Sequence, residues 1–157
     1  MEKTIPLTQA KYDELTKQLK QCETVERTEV SNAIKAAKEF GDLSENAEYS
    51  AAKDAQEKLE IKIAQLAEIL AKAYPIDTSL LSTKTVSVGN YVKVLDVELD
   101  EEVTYQIVSS IEASSNENKI SDQSPIGKAL IGRSKGETVF SKTPAGAIEL
   151  KILDISK

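Results

Sequence analysis

The chain contains no histidine and no tryptophan. Without histidine it can build neither a histidine-based catalytic triad nor most zinc sites. Its single cysteine, Cys22, has no partner for an internal disulfide, which suits a reducing cytoplasm. Aromatic residues make up 4% of the sequence, too few for a large aromatic pocket. No apolar run approaches the ~20 residues that span a bilayer, so no membrane partner is expected. The start, Met1-Glu2-Lys3-Thr4-Ile5-Pro6, has the character of neither a signal peptide nor a transit peptide. A formal charge of −6 argues against non-specific nucleic-acid binding through a broad basic surface. At 157 residues the chain makes one large domain or two small ones.

Glycine and proline are scarce and unevenly spread. Between residues 8 and 74 there is no proline and one glycine, Gly41, in a background of Ala, Glu, Lys, Gln and Leu, all favourable in helices. Pro75 stops that regime, and most of the Val, Ile and Thr follow it. The composition places the domain boundary there: 1–76 as a helical unit, 77–157 as a strand-rich one. Thr8 is the expected N-cap of the first helix. Apolar or small residues then recur at steps of three and four, at Tyr12, Leu15, Leu19, Cys22, Val30, Ala33 and Ala37, and again at Ala52, Ala55, Leu59, Ile63, Leu66, Leu70 and Ala73. This is a coiled-coil seam. Folding at the intervening turn sets Ala37 against Ala52 and Val30 against Leu59, an antiparallel hairpin with arms of roughly 45 Å. In each arm a step of four follows a step of four, near Glu26 and near Leu59, where a local change of supercoil is expected.

The second half alternates as strands do. Strands are expected over 85–88, 91–95, 103–108, 137–141 and 147–155. Ser124-Pro125-Ile126-Gly127-Lys128-Ala129-Leu130-Ile131-Gly132 opens with a cap and a proline and closes on glycine, a short helix. The fold class is therefore α+β: an N-terminal antiparallel coiled-coil hairpin, then a small antiparallel sheet with one helix. The acidic run 96–102 reads as a solvated hairpin loop.

Between the helical runs lies Gly41-Asp42-Leu43-Ser44-Glu45-Asn46-Ala47-Glu48-Tyr49, with carboxylates at Asp42, Glu45 and Glu48. Two readings stand side by side. Asp42 can cap the second helix with Glu45 completing a capping box, both favoured by the helix dipole. Alternatively, Asp42 and Glu45 face the same side and offer oxygen ligands to magnesium, which usually takes one or two carboxylates plus water and phosphate. Alone the pair would bind weakly; it becomes useful where another protein supplies the remaining ligands, as in two-metal phosphoryl chemistry.

That stretch, with Ala51-Ala52-Lys53-Asp54-Ala55-Gln56 after it and the 124–132 segment in the second half, resembles the signature of the bacterial transcript cleavage factors of the Gre family. Ile5-Pro6-Leu7-Thr8 and Lys142-Thr143-Pro144-Ala145-Gly146 extend the likeness over almost the full length, and the sparse basic residues near the tip resemble the GreA type more than the GreB type. The resemblance implies a monomeric cytoplasmic factor that binds RNA polymerase beside its secondary channel. It implies a finger that enters the channel and stimulates the polymerase's own cleavage of backtracked RNA, so the chain is a cofactor rather than an enzyme. Asp42 and Glu45 match the tip acids that help hold a second Mg2+ shared with the polymerase, with no ion bound tightly by the factor alone. Lys38 and Lys53 match basic positions near the RNA 3′ end. Asn46, Glu48 and Tyr49 support the tip, and Phe40 stands where polar residues are common. The second half resembles an FKBP-like domain, but its aromatics are only Tyr91, Tyr105 and Phe140, so a polymerase-docking role is favoured over prolyl isomerisation. Asp122, Gln123, Ser124 and Pro125 match the docking loop, with Gln123 in place of an acid. A channel-binding inhibitor of the same fold is the alternative.

Overall fold

The computed structural model describes residues 2–42 and 45–157; Met1 and, within the acidic turn, Leu43 and Ser44 lie outside the described residues. By packing, the chain divides into two compact units. One comprises the residues up to Lys3 together with Tyr12–Ala73; the other comprises Thr4–Lys11 and Tyr74–Lys157.

The first unit is a helical hairpin. Its first arm consists of α1 (Gln9–Gln21) and α2 (Arg27–Lys38), joined by a π-turn over Cys22–Glu26. Its second arm is one unbroken helix, α3 (Ala47–Lys72). Leu15, Cys22 and Ala37 on one arm and Ala52, Leu59, Ile63, Leu66 and Ala73 on the other are buried, as the seam predicts. The exposed Arg27 guanidinium donates two hydrogen bonds of 2.9 Å to the Glu60 carboxylate, a bridge between the arms consistent with the antiparallel register of the seam.

Two seam positions differ from expectation. Ala33 and Ala55 are exposed, while Ile34 and Gln56 are half-buried in their place. The first arm carries its consecutive steps of four, Cys22 to Glu26 to Val30, as the π-turn, which absorbs one extra residue. The phase of the helix beyond it shifts, and the longer Ile34 turns inward rather than Ala33. In α3 the corresponding steps pass through regular helix. At the π-turn the Glu26 carboxylate accepts from the buried Cys22 thiol, and this bond, with burial, pushes the thiol pKa up and keeps it protonated.

The second unit is built on a five-stranded sheet of order β5-β4-β3-β7-β6. The strands are β3 (Tyr91–Asp96), β4 (Glu101–Val108), β5 (Lys119–Ser121), β6 (Thr138–Thr143) and β7 (Gly146–Ser156). Two short strands, β1 (Ile5–Leu7) and β2 (Ala73–Pro75), pair separately. Alternation in β3, β4, β6 and β7 sends Val92, Val94, Ile107, Val139, Leu150, Ile152 and Ile155 to one face. There they form the core with Val86 and with Leu130 of α4 (Pro125–Leu130).

The expected α+β class holds, with two corrections. The sheet is mixed, because β5 pairs parallel to β4; at three residues β5 is too short to carry an alternating signal. The expected strand at 85–88 does not form. Thr85 makes one bridge to Ser134, and Val86 exchanges backbone hydrogen bonds with Gly132 and Arg133 instead of a strand.

Candidate functional site

The hairpin end is shaped by local backbone chemistry. Past Lys38, the Glu39 and Phe40 N–H groups donate to the Ala36 and Ala37 carbonyls at 3.2 and 3.1 Å, tightening the last turn. Gly41 then adopts φ +114°, with nothing near the place a side chain would occupy. Its glycine is therefore required by conformation rather than by space.

Helix α3 begins at Ala47, and its cap is Asn46. The Asn46 Oδ1 accepts from the Glu48 and Tyr49 N–H groups, both at 3.1 Å, while its Nδ2 donates across the hairpin to the Ala37 carbonyl. This overturns the expectation that Asp42 caps the helix with Glu45 closing a box. Both acids precede the helix, and neither caps it. Asp42, Glu45 and Glu48 instead line one open concavity of about 380 Å³ together with Phe40, Asn46 and Ala47. All three acids are exposed.

The magnesium expectation can be weighed against this donor set. Among the described residues no three Asp, Glu, Cys or His side chains converge as a metal-binding group. Two hard carboxylates on one concavity nevertheless suit a hard cation whose remaining ligands come from elsewhere. The donor set is compatible with a hard cation that would take its further ligands from another protein.

The other candidate residues fall in two places. Lys38, in the last turn of α2, and Lys53, in α3, are exposed and do not line the concavity; the Lys53 ammonium donates to the Gln56 Oε1 at 2.9 Å. Tyr49 is half-buried on α3. Phe40 lies with the acids at the hairpin end. It is 70% exposed on the rim of the concavity, a large ring with no apolar cover of its own. Its position after a helix run and before glycine was the available signal.

Residues 122–125 lie in the second unit, in the turn from β5 to α4. The Asp122 N–H donates to the Val108 carbonyl at 2.9 Å and the Gln123 N–H to the Ser121 Oγ at 3.0 Å. Ser124 caps α4: its Oγ accepts from the Gly127 N–H at 3.1 Å and donates to the Ser121 carbonyl at 2.6 Å. Pro125 occupies the first helical turn, where its missing N–H is not needed. Ser124 is thus accounted for by local structure; Gln123 and Pro125 are exposed, and the half-buried Asp122 carboxylate accepts from the Gln123 Nε2 at 3.4 Å. In the same unit a concavity of about 700 Å³ is lined by Tyr91, Gln106 and Lys119 among others. Neither Tyr105 nor Phe140 reaches it, so the three aromatics do not assemble into one pocket.

Comparison with known proteins accounts for both units. Residues 5–74 match the family described as "Transcription elongation factor, N-terminal", and residues 81–157 match "Transcription elongation factor, GreA/GreB, C-term". The chain is 48% identical to the transcription elongation factor GreA of Caldanaerobacter subterraneus subsp. tengcongensis over 157 residues, covering 100% of each. It is 46% identical to the GreA of Clostridioides difficile over 151 residues, covering 96% of this chain and 95% of that protein. Among solved structures, Gfh1 of Thermus aquaticus is 32% identical, covers 99% of each chain and gives a TM-score of 0.44. The family matches name one class, the transcription elongation factors. Within it, this chain belongs to the GreA/GreB family. Among the described residues no helix is long and apolar enough to cross a membrane.

Proposed function

We propose that this elongation factor binds RNA polymerase, passes its hairpin end through the secondary channel and stimulates cleavage of backtracked RNA at the polymerase's own catalytic centre. The observation that carries this reading is the shared concavity of Asp42, Glu45 and Glu48, ahead of a helix that Asn46 caps without them. Asp42 and Glu45 would hold a Mg2+ jointly with the polymerase. When bound there, the ion neutralises phosphate charge and lowers the pKa of a coordinated water.

The remaining work belongs to the chain's own side chains. Carboxylate oxygens of Asp42 and Glu45 accept hydrogen bonds from a water and orient it toward the scissile phosphate. Glu48, in the first turn of α3, adds negative potential to the same concavity. Asn46 keeps the acids ahead of the helix by joining Ala37 to the start of α3. Lys38 and Lys53 offset phosphate charge near the RNA 3′ end; the Lys53 ammonium retains donors beyond the one given to Gln56. Residues 122–125 dock the second unit on the polymerase. Since the tip supplies only part of a site, the factor stimulates a reaction the polymerase performs.

The test is a backtracked elongation complex treated with the parent factor or with the Asp42→Asn, Glu45→Gln double variant. Loss of preorganised charge at a reacting centre predicts a fall of about 100-fold in cleavage rate. Cleavage equal to the parent's would sink the reading. Inhibition without cleavage by the parent itself would move the chain to the channel-blocking alternative.

A further inference from the structure

Outside the tip, the least solvent-exposed acid with a defined set of partners is Glu112, in the loop between β4 and β5; its side chain is 2% exposed. A carboxylate so buried is costly unless its oxygens are satisfied. One oxygen accepts from the Thr8 N–H at 3.0 Å and the other from the Thr8 hydroxyl, while the Lys119 ammonium stands 3.8 Å away. Lys119 in turn contacts Glu117 at 3.3 Å. Thr8 is the cap of α1: its Oγ accepts from the Lys11 N–H at 3.2 Å. Glu112 therefore grips the cap itself, through backbone and side chain at once, from 104 residues away. The residues Thr4–Lys11 that it holds pack as part of the sheet unit, although α1 continues beyond them as the first arm.

The loop that bears Glu112 is itself fixed. Ser114 and Lys119 exchange backbone hydrogen bonds of 2.8 and 2.9 Å, and the Glu112 N–H donates to the Ser109 carbonyl at 3.0 Å. Lys119 opens β5, and β5 runs directly into the turn at 122–125. One short chain of contacts thus runs from the candidate docking turn through β5, Lys119 and Glu112 to the first turn of the arm that leads to the acidic tip. An apolar side chain in this place would leave the Thr8 N–H and hydroxyl without an acceptor; a buried carboxylate with directional partners holds Thr8 in one geometry.

We infer that Glu112 is a positioning residue for the proposed reaction: it holds the start of α1 so that docking of the sheet unit delivers the tip acids productively. This deepens the proposed function and rests on it.

The experiment uses the full-length factor on backtracked complexes, titrated to saturation, with Glu112→Gln, Thr8→Val and Thr8→Ser. Glutamine keeps the shape but replaces an acceptor by a donor facing the Thr8 donors. Glu112→Gln is expected to lower maximal cleavage about tenfold, the scale of a lost charge-assisted hydrogen bond, while the half-saturating concentration stays within about twofold. Thr8→Val keeps the backbone bond and should fall between Glu112→Gln and the parent. Thr8→Ser keeps every bond and should cleave as the parent does. Amide exchange at Lys11 should quicken in the first two variants and not in the third. Parental maximal cleavage by Glu112→Gln with quickened exchange overturns the inference, as does a change confined to the half-saturating concentration. Should Glu112→Gln fail to fold, parental maximal cleavage by Thr8→Val overturns it instead. A parent factor that does not stimulate cleavage overturns the proposed function while the exchange data still report the clamp.

Discussion

The two helix starts at residues 46 and 124 solve the same problem with opposite consequences. Each is capped by a polar side chain, Asn46 for α3 and Ser124 for α4, and each is preceded by acids or their neighbours that the resemblance assigns to function. At Asn46 the cap reaches across to Ala37 and leaves Asp42 and Glu45 exposed beside it. At Ser124 the cap is bonded to the Ser121 carbonyl, and the helix lies against that strand. The first site carries its acids outside the packing; the second is part of the packing. The exposed acids at the tip can change at little cost in stability, whereas Ser124 and Gly127 cannot be altered without disturbing the contact of α4 with Ser121.

The sharpest way to break this contrast is Gly127→Ala. A side chain there would meet the Ser121 carbonyl oxygen at 1.9 Å, so α4 or β5 must move. Overpacking of a fixed backbone predicts a loss of about 3 kcal/mol in the stability of the full chain, read by chemical denaturation. Parental stability would show that α4 floats on the sheet and that the contrast is false. Asn46→Ala comes next. It removes the cap of α3 and the cross-hairpin bond together, with an expected loss of about 1–2 kcal/mol and quickened amide exchange at Glu48 and Tyr49. If those amides keep their parental protection, another group caps α3. The smallest effect is expected at Ser141, 1% exposed on the core side of β6 with no hydrogen-bond partner for its hydroxyl among the described residues. Ser141→Ala should raise stability by about 1 kcal/mol, since a buried hydroxyl without a partner carries its desolvation cost unopposed. A loss of that size instead would mean that the hydroxyl is satisfied in solution.

The same comparison explains what could be read in advance. Ser124-Pro125 through Gly132 gave α4 with its cap because every signal lies within one short stretch. Thr8 was legible as the cap of α1 for the same reason. At the tip, Asp42 and Asn46 both have side chains able to cap a helix. Asn46 is chosen through its bond to Ala37, which exists only once the hairpin has closed. The seam was legible at Leu15, Cys22, Leu59 and Ile63; it slipped at Ala33, beyond the π-turn, and at Ala55, where α3 is regular and the neighbouring Gln56 turns inward instead. The Glu112 grip on Thr8 joins residues 104 positions apart and leaves no periodic trace. The three acids of the tip were conspicuous as charge at a turn, and it took the position of the helix start to separate Asp42 and Glu45 from capping.

The π-turn at Cys22–Glu26 also bears on how such a hairpin tolerates change in length. A wide turn works as a vernier: one inserted residue is absorbed where it enters, at the expense of a local loosening. Without it, the insertion would travel along the arm as a rotation of about 100° per residue. The first arm can thus differ from the second by a single residue while Ala37 still meets the bond from Asn46. Insertions confined to this turn should be borne by the hairpin, and the same insertions nearer the acids should swing them out of line.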